Sequence, residues 1–376
     1  MSRLDRYVLF QLLGPMGFFA LVFVGLIWIT QSLRIVEIVV RNNQSGLVFL
    51  ELSALLLPGV IATIIPLAAL AATIFVINRL YGESELVVMM AAGRSNIALA
   101  RPVLAFGVLM MLASGALTTT LSPMATEELR QRTADLRAEV TNALLQGGRF
   151  INPQQGITVF VREASRDGTM LDVFIHDQRS REERVTYTAQ QARLVRSGEA
   201  AQIVMVNGTT QTYDTANRTL TVLDFERVIY DLGVIVRPTD NRRRNPTEFP
   251  AWENVAMDLE TFDQNPRRFG SFIAEGHDQF SAPLYALVLP LIALAGLLSG
   301  SYRRLGLAAR IAAVIFVAVL GRIAGFSAKA QVTGNADLWP LLYAVPIALG
   351  LAATLVLLGS GVTRRMVRRT AVPEAG

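Results

Sequence analysis

The chain has 376 residues, 52% of them hydrophobic and 17% charged, with a positive mean hydropathy of 0.40, so the placing of the apolar residues decides its class. Lys and Arg number 35 against 30 Asp and Glu, but the arginines gather at the ends of apolar runs, where lipid phosphates sit, which argues against a nucleic-acid partner. There is no cysteine, so disulfides and thiolate metal sites are excluded.

The first uncharged run, 7–33, follows Arg3 and Arg6 as the core of a signal peptide would. It is longer than the roughly 7–15 residues of such a core and lacks a small-x-small cleavage site, so it reads as a retained helix. Further uncharged runs cover 52–78, 102–126, 279–302, 311–321 and 338–363. About 20 apolar residues cross a hydrocarbon layer of roughly 30 Å. Five runs therefore qualify as helical spans outright, and 311–321 becomes one by taking in Arg322. Prolines mark several of them, at 58, 66, 283, 290, 340 and 346, which is tolerated where neighbours satisfy the freed carbonyls.

From 127 to 278 no stretch could span as a helix. Residues 127–145, with Leu129, Leu136, Val140 and Leu144 among charges, read as an amphipathic continuation of the third span. From Ile157 the pattern alternates: ITVFVRE, MLDVFIHD, RVTYTAQ, AQIVMVNG and TLTVLDFERVIYDL are strands, and Asp167-Gly168, Ser197-Gly198, Asn207-Gly208 and Asn217 are hairpin chemistry. The linker RPTDNRRRNPTEFP reads as extended and solvated. The organisation is three spans (1–126), a soluble antiparallel β domain with its linkers (127–278) and three spans (279–376).

Short loops rich in Lys and Arg stay in the cytoplasm. With a cytoplasmic N-terminus, the inner segments hold Arg3, Arg6, Arg79, Arg94, Arg101, Arg303, Arg304, Arg310, Arg364, Arg365, Arg368 and Arg369, against Arg34, Arg41 and Lys329 outside. Both termini are then cytoplasmic and 127–278 lies across the membrane.

The chain carries no phosphate-binding G-x-x-x-x-G-K-[ST] and no H-E-x-x-H, and its two histidines, His176 and His277, are far apart. No ATP hydrolysis, cofactor or metal is expected of it alone. The uncharged runs hold no acid, which sets it apart from proton-coupled carriers. Four cations, Arg34, Arg41, Arg322 and Lys329, fall on the side where few are expected. Glu37 is spaced to neutralise one pair while the other snorkels; alternatively the four meet an anionic lipid headgroup, for which Arg is suited by its bidentate fork.

Between the second and third runs lies RLYGESELVVMMAAGRS, spanning 79–95. Glu83 and Glu85 occupy the first turn of a short helix, where carboxylates complement the dipole, and Gly93 stands where a left-handed cap belongs. Acids at the leading end suit a basic protein groove better than an anionic leaflet. Glu83, Glu85, Leu86, Met89 and Met90 are therefore candidates for docking a partner.

This stretch, the opening RLDRYVLFQLL, the fourth run QFSAPLYALVLPLIAL and the plan of three spans, β domain and three spans resemble the permeases of the bacterial lipopolysaccharide exporter, the LptF/LptG family, with the opening wording most like the LptF member. The resemblance covers essentially the whole chain. It implies a multi-pass protein of the bacterial inner membrane with a jelly-roll-like periplasmic domain, paired with a sister permease over a dimeric cytoplasmic ATPase that binds the ATP. It also implies an LptC-like bitopic protein and an LptA-like periplasmic bridge as partners, lipopolysaccharide as substrate, gates on the first and fifth spans, and Glu85 as the acidic contact to the ATPase. A mechanotransmitting permease for lipoproteins or peptides, and a membrane anchor for a β domain, are the alternatives.

Overall fold

The computed structural model describes residues 2–41, 45–144, 147–154, 156–165, 169–180, 183–197, 200–215, 217–231, 244–262, 265–299 and 307–370, some of them, including 41, 136–144 and 360–370, by backbone alone. They form two compact units: Met1–Gln31, Leu55–Glu127 and Asn245–Gly376 make one, Ser32–Ala54 and Glu128–Arg244 the other.

Helix α1 (Arg3–Arg41) is 39 residues long, about 58 Å at 1.5 Å per residue, and its chain runs through both units. A short α2 (Gly46–Ala54) belongs to the second unit. Helix α3 (Leu57–Gly82) opens with Pro58 in its first turn, where a missing N–H costs nothing. Helix α4 (Glu85–Ala91) has two turns. Helix α5 (Asn96–Ala116) is capped by Ser95, whose Oγ accepts from Ala98 N at 3.2 Å. It passes through one π-helical stretch, Leu117–Leu121, into α6 (Ser122–Leu144).

After the strands come α7 (Ala251–Val255), α8 (Pro266–Ser281), α9 (Leu284–Leu298), α10 (Leu307–Gly334) and α11 (Pro340–Thr370). Five stretches are long and apolar enough to cross a membrane: α1, α3, α5 with the start of α6, α10, and 336–359. The sixth is α8 with α9, bent by 49° where they meet. Six spans match the reading of the runs. The fourth, however, begins at Pro266 rather than Gln279, because its first half is amphipathic and carries charge.

The core of the first unit is built on α9. Twelve of its residues, from Tyr285 to Leu298, are buried, and it packs against α3, α5, α10 and α11. The approach to α5 is close: a Cβ on Gly107 would lie 3.1 Å from the Cα of Leu287. Outlying α1, by contrast, exposes Phe10, Phe18, Leu21, Leu26 and Ile29, and α10 exposes Phe316, Leu320, Ile323 and Phe326.

Residues 245–262 also belong to this unit, although the sequence assigned them to the soluble domain and its solvated linker. Phe249 and Phe262 stack on Phe272 of α8, with centroids 5.5 and 4.7 Å apart, and Glu248, 1% exposed, accepts from Asn245 N at 3.1 Å. The linker's last residues are thus a folded cap on α8.

The second unit holds six antiparallel strands, β1 (Arg149–Gln154), β2 (Ile157–Ala164), β3 (Thr169–Asp177), β4 (Glu183–Ser197), β5 (Ala200–Asp214) and β6 (Thr219–Asp231), in sequential order. This is a meander, without the crossovers of a jelly roll among the described strands. Pairing across β2 to β6 is continuous except along one row, Arg162, Asp172, Gln190, Asn207 and Glu226. On alternate strands that row is left-handed, Asp172 at φ 47° and Asn207 at φ 53°. Asn207-Gly208, expected as a hairpin turn, therefore sits in the middle of β5. The turn at 167–168 lies outside the described residues.

The row is a crease. Tyr230 and Asp177 lie on opposite sides of it, nine rows apart, about 30 Å along a flat sheet at 3.3 Å per residue. Yet Tyr230 Oη donates to Asp177 Oδ2 at 2.8 Å. The sheet therefore folds over along the crease, and the core between its two leaves takes Val159, Val173 and Ile175 from one side and Met170, Ile203 and Met205 from the other. Gly208 is required beside the crease, since a Cβ there would collide with the Thr188 carbonyl and the Phe225 ring.

Candidate functional site

Helix α4 is entered through Ser84 at φ 61° and left through Gly93 at φ 91°, the left-handed residue the sequence called for. Glu83 is not in its first turn; it ends α3 and pairs with Arg79 at 3.5 Å. Leu86 and Met89, three apart and so on one face, are 1% and 7% exposed within the core of the first unit. Both side chains, expected among the docking residues, seat the helix within the chain. Met90 is half-buried, whereas Val87 and Val88 are exposed.

Polar contacts fix the seat. Tyr7 of α1 donates its hydroxyl to Glu85 Oε2 at 3.2 Å. Just past α4, Arg94 Nη1 donates to Asp5 Oδ1 at 2.8 Å, and that aspartate is 3% exposed. The short helix is thereby tied to the start of α1 at both ends and rests on α3.

The four cations fall in different settings. Arg34 is exposed on α1; Arg41 ends that helix, and its side chain lies outside the described residues. Lys329 donates to Glu275 Oε2 and Asp278 Oδ2, both at 2.7 Å. Two carboxylates against one ammonium leave a net negative group, which repels a phosphate. Lys329 thereby differs from the three arginines it was grouped with, and α8 brings two acids to a span whose uncharged run held none.

Arg322 is different. Its guanidinium lies over the rings of Tyr285, 4.6 Å from the centroid, and Phe326, at 4.9 Å, and among the described residues no carboxylate pairs with it. Cation–π contact holds such a group without neutralising it. Gly325 makes the room, since a Cβ there would collide with the Tyr285 hydroxyl. On α8, His277 is stacked on Trp339 at 4.5 Å and hydrogen-bonded to the Tyr343 hydroxyl at 3.1 Å.

The sequence of the family Lipopolysaccharide export system permease LptF/LptG matches residues 6–360. The chain belongs to that family. The matched family covers both sister permeases, and a permease is the transport subunit of its system. Among relatives, the Rickettsia prowazekii protein RP871 is 26% identical over 280 residues, 74% of this chain and 77% of its own. The lipopolysaccharide export system permease protein LptF of Escherichia coli K12 is 24% identical over 222 residues, 57% of this chain and 61% of that protein, and LptF of Shigella flexneri matches to the same extent. With its apolar helices, this LptF/LptG family member is a multi-pass protein of the inner membrane.

A cluster in the second unit of the permease went unread in the sequence. Asp177 accepts from Arg179 Nη2 at 2.6 Å, from Arg179 N at 3.1 Å and from the Tyr230 hydroxyl at 2.8 Å. Burial pushes its carboxyl up, but these donors outweigh it and hold the group below the usual carboxylate value. Burial, and then the bond to Asp177, push the Tyr230 phenol up. The alternation of β3 and β6 predicted strands; that their far ends meet depends on the crease.

Proposed function

We propose that the chain is a permease subunit that extracts lipopolysaccharide from the outer leaflet of the inner membrane, driven by a separate dimeric cytoplasmic ATPase docked on α4. The observation that carries this reading is the seating of α4. With Leu86 and Met89 locked in the core, Glu85 on Tyr7 and Arg94 on Asp5, a push on its exposed side, Val87 and Val88, must move the start of α1 and the end of α3. Glu83 and Glu85 flank that side and suit a basic groove; Met90 borders it.

In this reading both termini are cytoplasmic and the strand-bearing unit is periplasmic, as the arginine asymmetry requires. A sister permease pairs with the exposed apolar sides of α1 and α10. Arg34, Arg41 and Arg322 offer charge to lipid phosphates; α1 exceeds the roughly 30 Å of hydrocarbon, which lets its basic end reach headgroup level. The two leaves, packed on one another at rest, part to admit acyl chains between them. Among the described residues the outer edges of β1 and β6 pair with no further strand, and they offer backbone groups to one, the chemistry by which a bitopic LptC-like partner or an LptA-like bridge continues the path.

The test is Glu85→Arg beside Tyr7→Phe. The first sets a cation against a basic groove and should abolish both copurification of the ATPase and ATP-driven lipid release. The second removes only the internal contact and should retain the ATPase. Full coupling in Glu85→Arg would overturn the docking role.

A further inference from the structure

The bend between α8 and α9 has a visible cause and an unexpected partner. In a continuous helix the carbonyl of Gln279 would accept from the N–H four residues on, but that residue is Pro283, which has none. A buried carbonyl left unpaired is costly, and Gln279 is 6% exposed. The missing donor comes from another span: Thr118 Oγ1 donates to Gln279 O at 2.9 Å.

Thr118 stands in the π-helical stretch Leu117–Leu121, a local widening that often marks a functional position in a helix. A threonine within a helix ordinarily bonds back to its own preceding turn. Here the neighbouring Thr119 takes the Gly115 carbonyl, at 2.7 Å, while Thr118 lies farther from it, at 3.2 Å. Gly115 faces the bend, since a Cβ there would make an ordinary contact with Pro283 at 3.8 Å. The proline, the freed carbonyl, the threonine and the widened turn thus fit one another.

We infer that Thr118 is a positioning residue that pins the bend of the fourth span to the third, so that the helix leading into the strand-bearing unit and the span at the centre of the helical core move as one. Helix α6 continues unbroken past Glu127, and α9 is the element on which α3, α5, α10 and α11 all pack. Loss of the pin frees α8 to swing about Ala282-Pro283. The effect on transport rests on the function proposed above; the effect on the bend does not.

Because the chain has no cysteine, spin labels at Arg267→Cys and Ser299→Cys, both exposed, report the bend directly by pulsed electron resonance on the full chain. Thr118→Val should widen the distance distribution or shift its centre, Thr118→Ser should leave it unchanged, and ATP-driven lipid release by the assembled complex should fall about fivefold in the valine variant, the shift expected for one unmet buried carbonyl. Pro283→Ala restores the helical N–H, so adding Thr118→Val to it should change nothing further. The inference is overturned if Thr118→Val matches the parent distances, if Thr118→Ser moves them as far, or if Thr118→Val retains its full effect beside Pro283→Ala. Should the parent complex release no lipid, the transport reading fails while the label distances still judge the pin.

Discussion

Tyr230→Phe removes a single oxygen from the closure of the folded sheet. The ring stays against Tyr187, whose centroid is 5.2 Å away, so packing is kept; the 2.8 Å bond to Asp177 is lost, with the long 3.5 Å one from Arg179 Nη2. A hydrogen bond to a charged acceptor contributes about 1.5–3 kcal/mol net. Asp177 keeps Arg179, itself 42% exposed, so the lower end, about 1.5 kcal/mol, applies. About 1.4 kcal/mol is a factor of ten, and the leaves should part roughly tenfold more often. Hydrogen exchange of the full chain, read by mass spectrometry, should show peptides from the ends of β3 and β6 exchanging about tenfold faster and α9 unchanged. Because the Asp177 carboxyl is held below its ordinary value, its contribution is present above the unfolded carboxylate pKa of about 3.9 and is lost as pH falls through the lower folded value. The difference between parent and variant should therefore shrink in acid. Equal protection at neutral pH would refute the closure as described.

Two further substitutions follow from the packing. Lys329→Met leaves Glu275 and Asp278 facing each other without a cation; removing one partner of a buried pair costs about 3–5 kcal/mol, and with Lys329 30%, Glu275 17% and Asp278 31% exposed about 1–2 kcal/mol is expected, seen as a lower melting temperature that added Glu275→Gln and Asp278→Asn restore. Gly208→Ala drives a methyl into the Thr188 carbonyl and the Phe225 ring, an overpacking of about 1–3 kcal/mol. Limited proteolysis should then cut β5 sooner than in the parent chain.

Six spans were legible because each needs a long apolar stretch, which composition alone reveals. The fourth was misplaced at its start because α8 hides its apolar residues, Phe269, Phe272 and Ile273, among Arg267, Arg268, Glu275 and Asp278; the cation that settles two of those charges lies some fifty positions on, at Lys329. Arg322 was legible as an unpaired charge, but its rest on Tyr285 was not. For α4 the sequence identified the helix and its glycine stop, and the i, i+3 spacing of Leu86 and Met89 would have shown a buried face had it been weighed against the acids. Asn207-Gly208 illustrates the limit of local chemistry: the same dipeptide serves a hairpin or a crease, and only its alignment with Asp172 on another strand distinguishes them. Pro283 signalled a free carbonyl at Gln279; nothing near it in sequence named Thr118.

The crease also acts as a register key. Sliding β3 or β5 by one residue would ask Leu171 or Val173, and Val206 or Gly208, to take the left-handed positions now held by Asp172 and Asn207. Leu171, Val173 or Val206 would pay about 1–2 kcal/mol there; Gly208 would pay nothing, but either slip turns the inner face of the strand outward. A long meander whose hairpins alone would permit several alignments is in this way confined to one, by two small polar residues placed where no hydrogen-bonded pair forms.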